Sequence, residues 1–482
     1  MMTLSRTAAA GLLLFLSMPL PVSPDAAVSA QAAIASGAHC AGDASLPVDC
    51  LAEAAMPVSD ARLDRIPSRM DNLYRYNVNS DSDLVTFYNR AEHKLQQVLT
   101  FYNEQRRLAI VIRDFPNGSW SEAVDIHQHI GNEALEYDSH NYTAFGVAAD
   151  GTLFATANHH VDPLRMAISL RPYDITSFRQ LPERSINPQD DDRVTYPSFS
   201  YLGEELYFSY REQEVGGGKP AFRWLLKRWN TSSRYWEDVA QLNTGTHLRL
   251  YVSNIAWNTD GTQLHLSALW RDDRPEVLSR STEQQHDLFH LYSDDGRQWK
   301  QYGEGEVALP LLWSGAGQST VPQLIWNTGK GDPVPGNAGS IAVDSDSHPH
   351  ILNTARDGRL FYHHFDGRQW VSLGDVFRSG TDDVFQLPDG MGAVSARGDS
   401  LYFHRLSPEL DRKGVLLAKG YVTRYYHASV DKNAIEHGWL SMMLTLNQHH
   451  AVGSKRGNHA VEAYVLSIPL SELDDFSTPY LK

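Results

Sequence analysis

The sequence predicts an all-β fold, a seven-bladed β-propeller of four-stranded antiparallel blades. Short β-type segments separated by turn dipeptides run from about Leu84 to the end of the chain. Three predicted hairpins carry polar side chains at their open ends, and the first members of these pairs fall at positions 140, 196 and 251. Successive positions are 56 and 55 residues apart, and a repeat of this length is typical of propeller blades.

The first 32 residues predict a secretory signal peptide. Arg6 precedes an apolar run from Ala8 to Leu16, and small residues follow at 27–32. The run is too short for a membrane span with its flanks, and no later stretch approaches 18 uninterrupted apolar residues. We therefore expect a secreted protein, extracellular or periplasmic, that has no membrane partner.

Residues 33–80 lack clear periodicity and predict an irregular N-terminal segment. It contains the two cysteines of the chain, Cys40 and Cys50, and an oxidising compartment favours a disulfide between them. Two cysteines exclude a four-cysteine zinc site. Residues 81–482, without a Pro/Ser/Gly-rich linker, are predicted to form one propeller domain, expected to be a monomer.

The charge balance argues against nucleic acid as a partner. The chain has 58 acidic and 42 basic residues, a formal net charge of -16, so its surface as a whole repels polyanions. An anionic substrate would need cations concentrated at one place.

A blade is readable directly in the sequence between Ser340 and Val371, where turn dipeptides divide four short strands. Within it, the run Asp366-Gly367-Arg368-Gln369-Trp370 repeats the run at 295–299, and both resemble the Asp-box of sialidase-type propellers. Asp295 and Asp366 are expected to order outer turns while the Trp packs between strands, so this signal indicates fold rather than function.

The predicted hairpins bring polar pairs to one rim: His140 with His160, Tyr196 with Arg211, and Tyr251 with Arg271. Whether His159 or His160 faces the channel is open, although the hairpin spacing favours His160. Propeller rims are common ligand sites because side chains from several rigid blades converge there.

These residue types favour β-elimination from a uronic acid within a polysaccharide. An arginine that binds the carboxylate bidentately stabilises the enolate-like charge that forms when the C5 proton leaves. His can exchange protons near neutral pH, and a guanidinium can lower the pKa of a neighbouring tyrosine. The set lacks paired carboxylates for glycoside hydrolysis, a serine triad motif and a phosphate-binding glycine loop.

Four runs of the chain resemble the BNR-repeat ulvan lyases, which are secreted seven-bladed propellers: Asp138–Tyr142, Ala157–His160, Thr195–Phe199 and Ser209–Glu212. The resemblance implies an anionic sulfated polysaccharide as substrate, cleaved between rhamnose 3-sulfate and glucuronic or iduronic acid.

Carried onto this sequence, the resemblance makes His140 and Tyr196 the proton-transfer residues and Arg211 the group that neutralises the carboxylate. His160, Tyr251, Asn141 and Arg271 become substrate-binding residues, although Arg271 can equally form an ion pair with Asp272 or Asp273. Which of His140 and Tyr196 is the base, which uronic acid is preferred, and whether cleavage is endo or exo stay open.

Other histidines favour a metal-site hypothesis, His127 with His129 at strand spacing and His286 with His290 at helical spacing. A structural calcium or zinc is an alternative, but no metal site is assigned, and the elimination requires no cofactor if Arg211 neutralises the carboxylate. Two rival functions are a sialidase-like hydrolase, which needs a third arginine and a tyrosine–glutamate pair, and a non-catalytic carbohydrate-binding propeller.

Overall fold

The computed structural model describes most of the chain beyond residue 60. The described ranges are 61–71, 82–131, 140–141, 143–157, 159–182, 186, 193–213, 221–245, 248–273, 285–312, 323–326, 339–355, 359–378, 382–397, 400–406, 414–419, 421–422, 430–446 and 460–474. All of them belong to one compact unit, Leu51–Lys482. The proposed signal peptide and the Cys40–Cys50 pair lie outside the described residues and stay predictions.

The strands of the N-terminal part form the first two blades after two short leading strands. The leading strands are β1 (Arg62–Arg65) and β2 (Met70–Asp71). The first blade contains β3 (Leu84–Asn89), β4 (Lys94–Tyr102), β5 (Leu108–Asp114) and β6 (Val124–Asp125). The second contains β7 (Thr143–Val147), β8 (Leu153–Ala157), β10 (Met166–Ser169) and β11 (Phe178–Leu181), whereas the intervening β9 (His160–Asp162) joins the third blade.

The third and fourth blades have five strands each. The third adds β9 to β12 (Arg193–Leu202), β13 (Glu205–Gln213), β14 (Phe222–Asn230) and β15 (Tyr235–Gln241). The fourth contains β16 (Leu248–Trp257), β17 (Leu264–Asp272), β18 (Gln285–Ser293), β19 (Trp299–Gln301) and β20 (Gly305–Val307).

The last three blades have four strands each. The fifth contains β21 (Ser340–Val343), β22 (Pro349–Thr354), β23 (Arg359–Phe365) and β24 (Trp370–Arg378). The sixth contains β25 (Asp382–Leu387), β26 (Gly390–Arg397), β27 (Ser400–Leu406) and β28 (Val415–Lys419). The seventh contains β29 (Tyr421–Val422), β30 (Trp439–Leu446), β32 (Ala463–Pro469) and β1, while β31 (Ala460–Val461) pairs with β2. The predicted seven-bladed antiparallel propeller is confirmed.

The ring of blades is closed by β1, which supplies the outer strand of the seventh blade. Arg62 pairs with Ser467 and Arg65 with Tyr464 in an antiparallel ladder. These residues fall in the range 33–80 for which we predicted irregular structure, so that boundary is corrected. The run Arg-Leu-Asp-Arg is too short to show a strand pattern of its own, and its pairing partners lie about 400 positions further along the chain.

The core of the propeller lies between neighbouring blades. Phe154 of the second blade packs against Trp229 and Trp236 of the third at ring-centroid distances of 4.7 and 5.1 Å. The first strands of successive blades also pack side by side, β7 with β12, β12 with β16, and β16 with β21. Residues near the starts of these strands are thereby gathered at one end of the ring.

The two Asp-box turns have the structural role that the sequence predicted. The Asp295 carboxylate accepts hydrogen bonds from the backbone N–H groups of Arg297 and Gln298, both at 2.8 Å, and Trp299 is buried behind the turn. Asp366 accepts the equivalent pair from the backbone of residues 368 and 369.

Two short α-helices are present among the described residues, α1 (Lys432–Glu436) and α2 (Leu470–Asp474). Asp431 caps α1 by accepting a hydrogen bond from the Ala434 backbone N–H at 3.1 Å. Helix α1 packs against β3, β25 and β30. Within this part of the chain, neither helix has the length and apolar character needed to cross a membrane.

Candidate active site

The candidate site is formed where β9 leaves the second blade and pairs with the third. His160 at the start of β9 is the ladder partner of Thr195 on β12. The neighbouring residue of β12 is Tyr196, and His140 precedes β7 in the second blade. The transfer of β9 to the third blade therefore places His160 and Tyr196 beside His140 of the second blade.

The two predicted histidines are in direct contact. The rings of His140 and His160 stack with centroids 3.8 Å apart and planes inclined by 18°, and the His140 ring lies 5.7 Å from the Tyr196 ring. His159 occupies a different environment. It is fully buried, its Nε2 accepts a hydrogen bond from the Arg165 backbone N–H at 2.8 Å, and burial lowers its pKa to about 3.

The backbone around Tyr196 is in an uncommon conformation. Two residues of β12, Tyr196 and Pro197, face one residue of β13 in a β-bulge. Tyr196 has a φ of +61°, and Val161 on β9 has a φ of +64°. Positive φ is unfavourable for bulky and β-branched side chains, and such strain is concentrated at functional sites.

Arg211 on β13 lies between two tyrosine rings. Its ladder partner is Thr195 rather than Tyr196, but the bulge brings the guanidinium carbon to 4.7 Å from the Tyr196 ring centre and 5.2 Å from that of Tyr251. The side chain is almost completely buried, with 4% of its surface exposed. Its Nη1 has no hydrogen-bond partner among the described residues. A buried cation with an unused donor is suited to an anionic ligand.

Arg271 reaches the site in a register that differs from the predicted one. We expected it opposite Tyr251, but its ladder partner is Arg249, and Tyr251 pairs with Leu269. A bulge of β16 between Val252 and Ile255, which the hairpin count did not include, accounts for one residue of this two-residue offset, and the pairing of Trp257 with Leu264 at the turn accounts for the other. Arg271 nonetheless donates a hydrogen bond to the Tyr251 hydroxyl at 3.1 Å.

The expected ion pair of Arg271 also forms, with Asp273 as its partner. Arg271 Nε donates to the Asp273 carboxylate at 3.0 Å, and the same carboxylate lies 2.6 Å from Arg249 Nε. Arg271 therefore contacts Tyr251 and forms the ion pair at the same time.

Two residues of the site, Arg249 and Trp224, were not predicted from the sequence. Arg249 adds a third guanidinium, Asp273 links it to Arg271, and Trp224 stacks on Tyr196 with centroids 6.1 Å apart and planes inclined by 14°. Alternation along β16 could have indicated Arg249, because residues two apart in a strand project to the same face. Nothing in the sequence relates Trp224 to Tyr196.

The two tyrosines of the site differ in proton affinity. Burial raises the pKa of Tyr196 well above its usual value, and the neighbouring Tyr251 raises it further. Burial also disfavours the phenolate of Tyr251, but the positive charges of Arg211, Arg271 and Arg249 outweigh it, so the pKa of Tyr251 is lowered. Tyr196 is thus held as a protonated hydroxyl, and Tyr251 is the tyrosine whose phenolate is stabilised.

The remaining candidates are Asn141 and the four histidines of the metal-site hypothesis. Asn141 is buried directly after His140. His127 and His129 occupy a 3₁₀ helix rather than a strand, and His286 and His290 lie on strand β18 rather than on a helix. Among the described residues, no group of three or more His, Cys, Asp or Glu side chains is placed to hold a metal ion.

The chain belongs to the BNR repeat-containing family, whose model matches residues 96–374, more than half of the sequence. Among solved structures it is similar to the polysaccharide lyase Uly1, with a TM-score of 0.64 and 14% identity over 86% of this chain and 99% of that one. A PL25 ulvan lyase, solved bound to a -[GlcA(1-4)Rha3S]- fragment, aligns with a TM-score of 0.59 and 14% identity over 86% of this chain and 100% of that one. At this identity the likeness shows the fold. A search of curated proteins found no match.

Proposed function

We propose that the protein is a polysaccharide lyase that cleaves a uronic-acid polymer by β-elimination. The observation that carries this proposal is the Arg211 guanidinium, buried between two tyrosine rings with an unused donor and one ring away from the stacked histidines. Such a group can bind the uronate carboxylate and stabilise the negative charge that develops on it.

The reaction has three bond changes. A base takes the proton from C5, the electrons of that bond form the C4–C5 double bond, and the bond from C4 to the glycosidic oxygen breaks while an acid protonates that oxygen. We assign Tyr196 as the acid, because its high pKa keeps the hydroxyl protonated, and His140 as the base. Arg211 supplies the positive charge, so we propose that no metal or other cofactor is required.

We propose ulvan as the substrate, cleaved at the uronic acid next to rhamnose 3-sulfate. Arg211, Arg249 and Arg271 are concentrated around one tyrosine, whereas the chain as a whole has a net charge of -16. An anionic polymer would therefore be attracted to this site and repelled by the rest of the surface, which supports the proposal. The ulvan fragment bound by a protein of the same fold is consistent with this choice. Export through the N-terminal signal would give access to such a polymer.

The third arginine also favours a second candidate function. Arg249 lies beside Arg271 and near Tyr251, so the rim carries the third arginine that a sialidase-like hydrolase would require. The partner carboxylate, Asp273, is held between Arg249 and Arg271, which disfavours its use as the base that would activate Tyr251. We therefore place hydrolysis second to elimination.

The experiment is incubation of the protein with ulvan while the ultraviolet absorbance of the unsaturated uronate product is followed. The variants are His140→Ala, Tyr196→Phe and Arg211→Ala. Elimination predicts an absorbance rise that each variant abolishes. New reducing ends without this absorbance would indicate hydrolysis, and binding without cleavage would indicate a carbohydrate-binding module.

A further inference from the structure

The propeller has a cavity at the rim opposite to the candidate active site. Its volume is about 370 Å³, within the size range of small-ligand sites. The lining includes turns that connect the first and second strands of four blades, at Arg90, Ala149, Glu204 and Asp260. Tyr201 of this lining lies five residues along β12 from Tyr196, about 16 Å at the usual rise per residue.

Aromatic side chains from the first four blades line this opposite-face cavity: Tyr88, Tyr173, Tyr201 and Trp257. Tyr88 is 48% exposed, unusual for a large ring with no covering segment among the described residues. Tyr201 and Trp257 contact each other edge to face at 5.4 Å, and the Tyr201 hydroxyl is fixed by a hydrogen bond from the Val147 backbone N–H at 3.1 Å. The wall is therefore built of rigid, partly open rings.

Polar groups lie between these rings, and most of those with charge are acidic. Glu436 at the end of α1 accepts a hydrogen bond from the Trp257 indole at 2.5 Å, and Asp260 accepts one from the Thr262 hydroxyl at 2.6 Å. Glu204 is paired with Arg90. Two carboxylates thus face the cavity without a cation to balance them among the described residues.

We propose that the opposite-face cavity binds a neutral sugar unit. Aromatic rings pack against the apolar faces of a sugar ring, and carboxylate, imidazole and guanidinium groups match hydroxyls that both donate and accept. The excess of acidic groups excludes a sulfated or uronate unit, which the arginine-rich site on the other rim attracts. The proposal does not depend on the chemistry at that site and adds a second, uncharged contact to carbohydrate.

Two glycine-containing turns, one from the third blade and one from the fourth, line the cavity side by side. Gly203 and Gly261 both have positive φ, +57° and +65°, and a Cβ on Gly261 would lie 3.0 Å from the Gly203 backbone. A side chain at Gly261 would therefore force the Gly203 backbone to move away. The close approach keeps Tyr201 and Trp257, which precede the turns, on one wall.

The test is calorimetric titration of the full-length Arg211→Ala variant, in which the active site is disabled, with cellotetraose, xylotetraose and mannotetraose. We expect at least one tetrasaccharide to bind and to alter tryptophan fluorescence. Adding Tyr88→Ala or Glu436→Gln should weaken this binding by roughly tenfold or more. Tyr235→Ala, which removes an exposed ring from the outer strand of the third blade, should leave it unchanged.

Three results would overturn the proposal: no binding of any tetrasaccharide, binding that neither added substitution weakens, or substitution-sensitive binding of tetramethylammonium in place of the sugars. The last result would make the cavity an organic-cation site. Lyase activity of the otherwise unmodified Tyr88→Ala and Glu436→Gln proteins on ulvan reports on the other rim, so failure of this proposal and failure of the lyase proposal are distinguishable.

Discussion

Desolvation gives the individual residues of the candidate site their properties. Arg211 is buried against two rings, so its charge is screened less by water than a surface arginine would be. The same burial holds Tyr196 protonated, while the surrounding arginines favour the phenolate of Tyr251. Two tyrosines of similar exposure thereby differ in proton affinity, with the pKa of Tyr196 raised and that of Tyr251 lowered.

Substitution of Tyr196 by Phe should separate chemistry from folding. The ring would still stack on Trp224 and lie over Arg211, so the thermal unfolding midpoint should stay unchanged, whereas loss of the proton donor should reduce kcat on ulvan by about 10²–10⁴-fold. Tyr207→Phe, on β13 beyond the site, is the matched control and should retain full activity. Wild-type kcat in Tyr196→Phe would remove the hydroxyl from the mechanism.

Substitution of Arg271 by Gln should raise the pKa of Tyr251. The guanidinium donates to the phenolic oxygen and is one of the charges that lower this pKa. The ultraviolet absorbance of the phenolate is followed as the pH is raised. Subtracting the titration of the same protein carrying Tyr251→Phe isolates the contribution of Tyr251 and gives its pKa. Arg228 pairs with Glu205 and Glu237, so the control Arg228→Gln should leave the pKa of Tyr251 unchanged. An unchanged pKa of Tyr251 in Arg271→Gln would contradict the electrostatic account.

At the scale of elements, the strand that closes the ring is joined to the core by a buried charge. The Arg113 side chain on β5 is completely buried and lies 2.5 Å from the Asp64 carboxylate on β1. It also donates to Ser467 on β32 at 2.9 Å. The first blade, the seventh blade and the closing strand therefore meet at one guanidinium.

Asp64→Ala should destabilise the protein strongly, because it leaves the buried Arg113 charge uncompensated. Loss of one partner of a buried pair typically costs about 3–5 kcal/mol. Denaturant unfolding would measure this change in free energy. The control is Arg65→Ala on the same strand, whose partner Glu462 is partly exposed, and a loss as large in the control would mean that the strand itself, rather than the ion pair, determines stability.

At the scale of the whole molecule, several buried neutral histidines make stability depend on pH. Burial lowers the pKa of His159, His265 and His363 to about 3, whereas the unfolded chain binds these protons near pH 6.5. The unfolded state therefore takes up more protons at mildly acidic pH. The stability that these groups contribute is complete above pH 6.5 and is lost as the pH falls from there towards 3.

Unfolding free energies at pH 7 and pH 5 test this dependence. Each buried histidine should contribute roughly 2 kcal/mol of loss between the two values, so His363→Asn should have a smaller difference than the wild type. His93→Asn, which changes an exposed turn histidine, should retain the wild-type difference. Equal differences in all three proteins would show that His363 is not buried in its neutral form.

Features that depend on local sequence patterns could be predicted, whereas contacts between strands that are distant in the sequence could not. Hairpin spacing and turn dipeptides sufficed for the seven-bladed fold, and the stacked His140 and His160 rings lie where their hairpin predicted them. The closing strand β1, the transfer of β9 between blades and the contact of Trp224 with Tyr196 depend on partners in other strands. Bulges changed two of the three predicted pairings because each adds one residue that no spacing rule counts.

The most direct test of the central claim is the ultraviolet absorbance of ulvan incubated with the wild-type protein and with Arg211→Ala. We predict a steady rise with the wild type, from the C4–C5 double bond of the unsaturated uronate, and no rise with the variant, because the carboxylate charge is then left unneutralised. A flat trace with folded wild-type protein, or an equal rise with Arg211→Ala, would contradict the proposed elimination at this site.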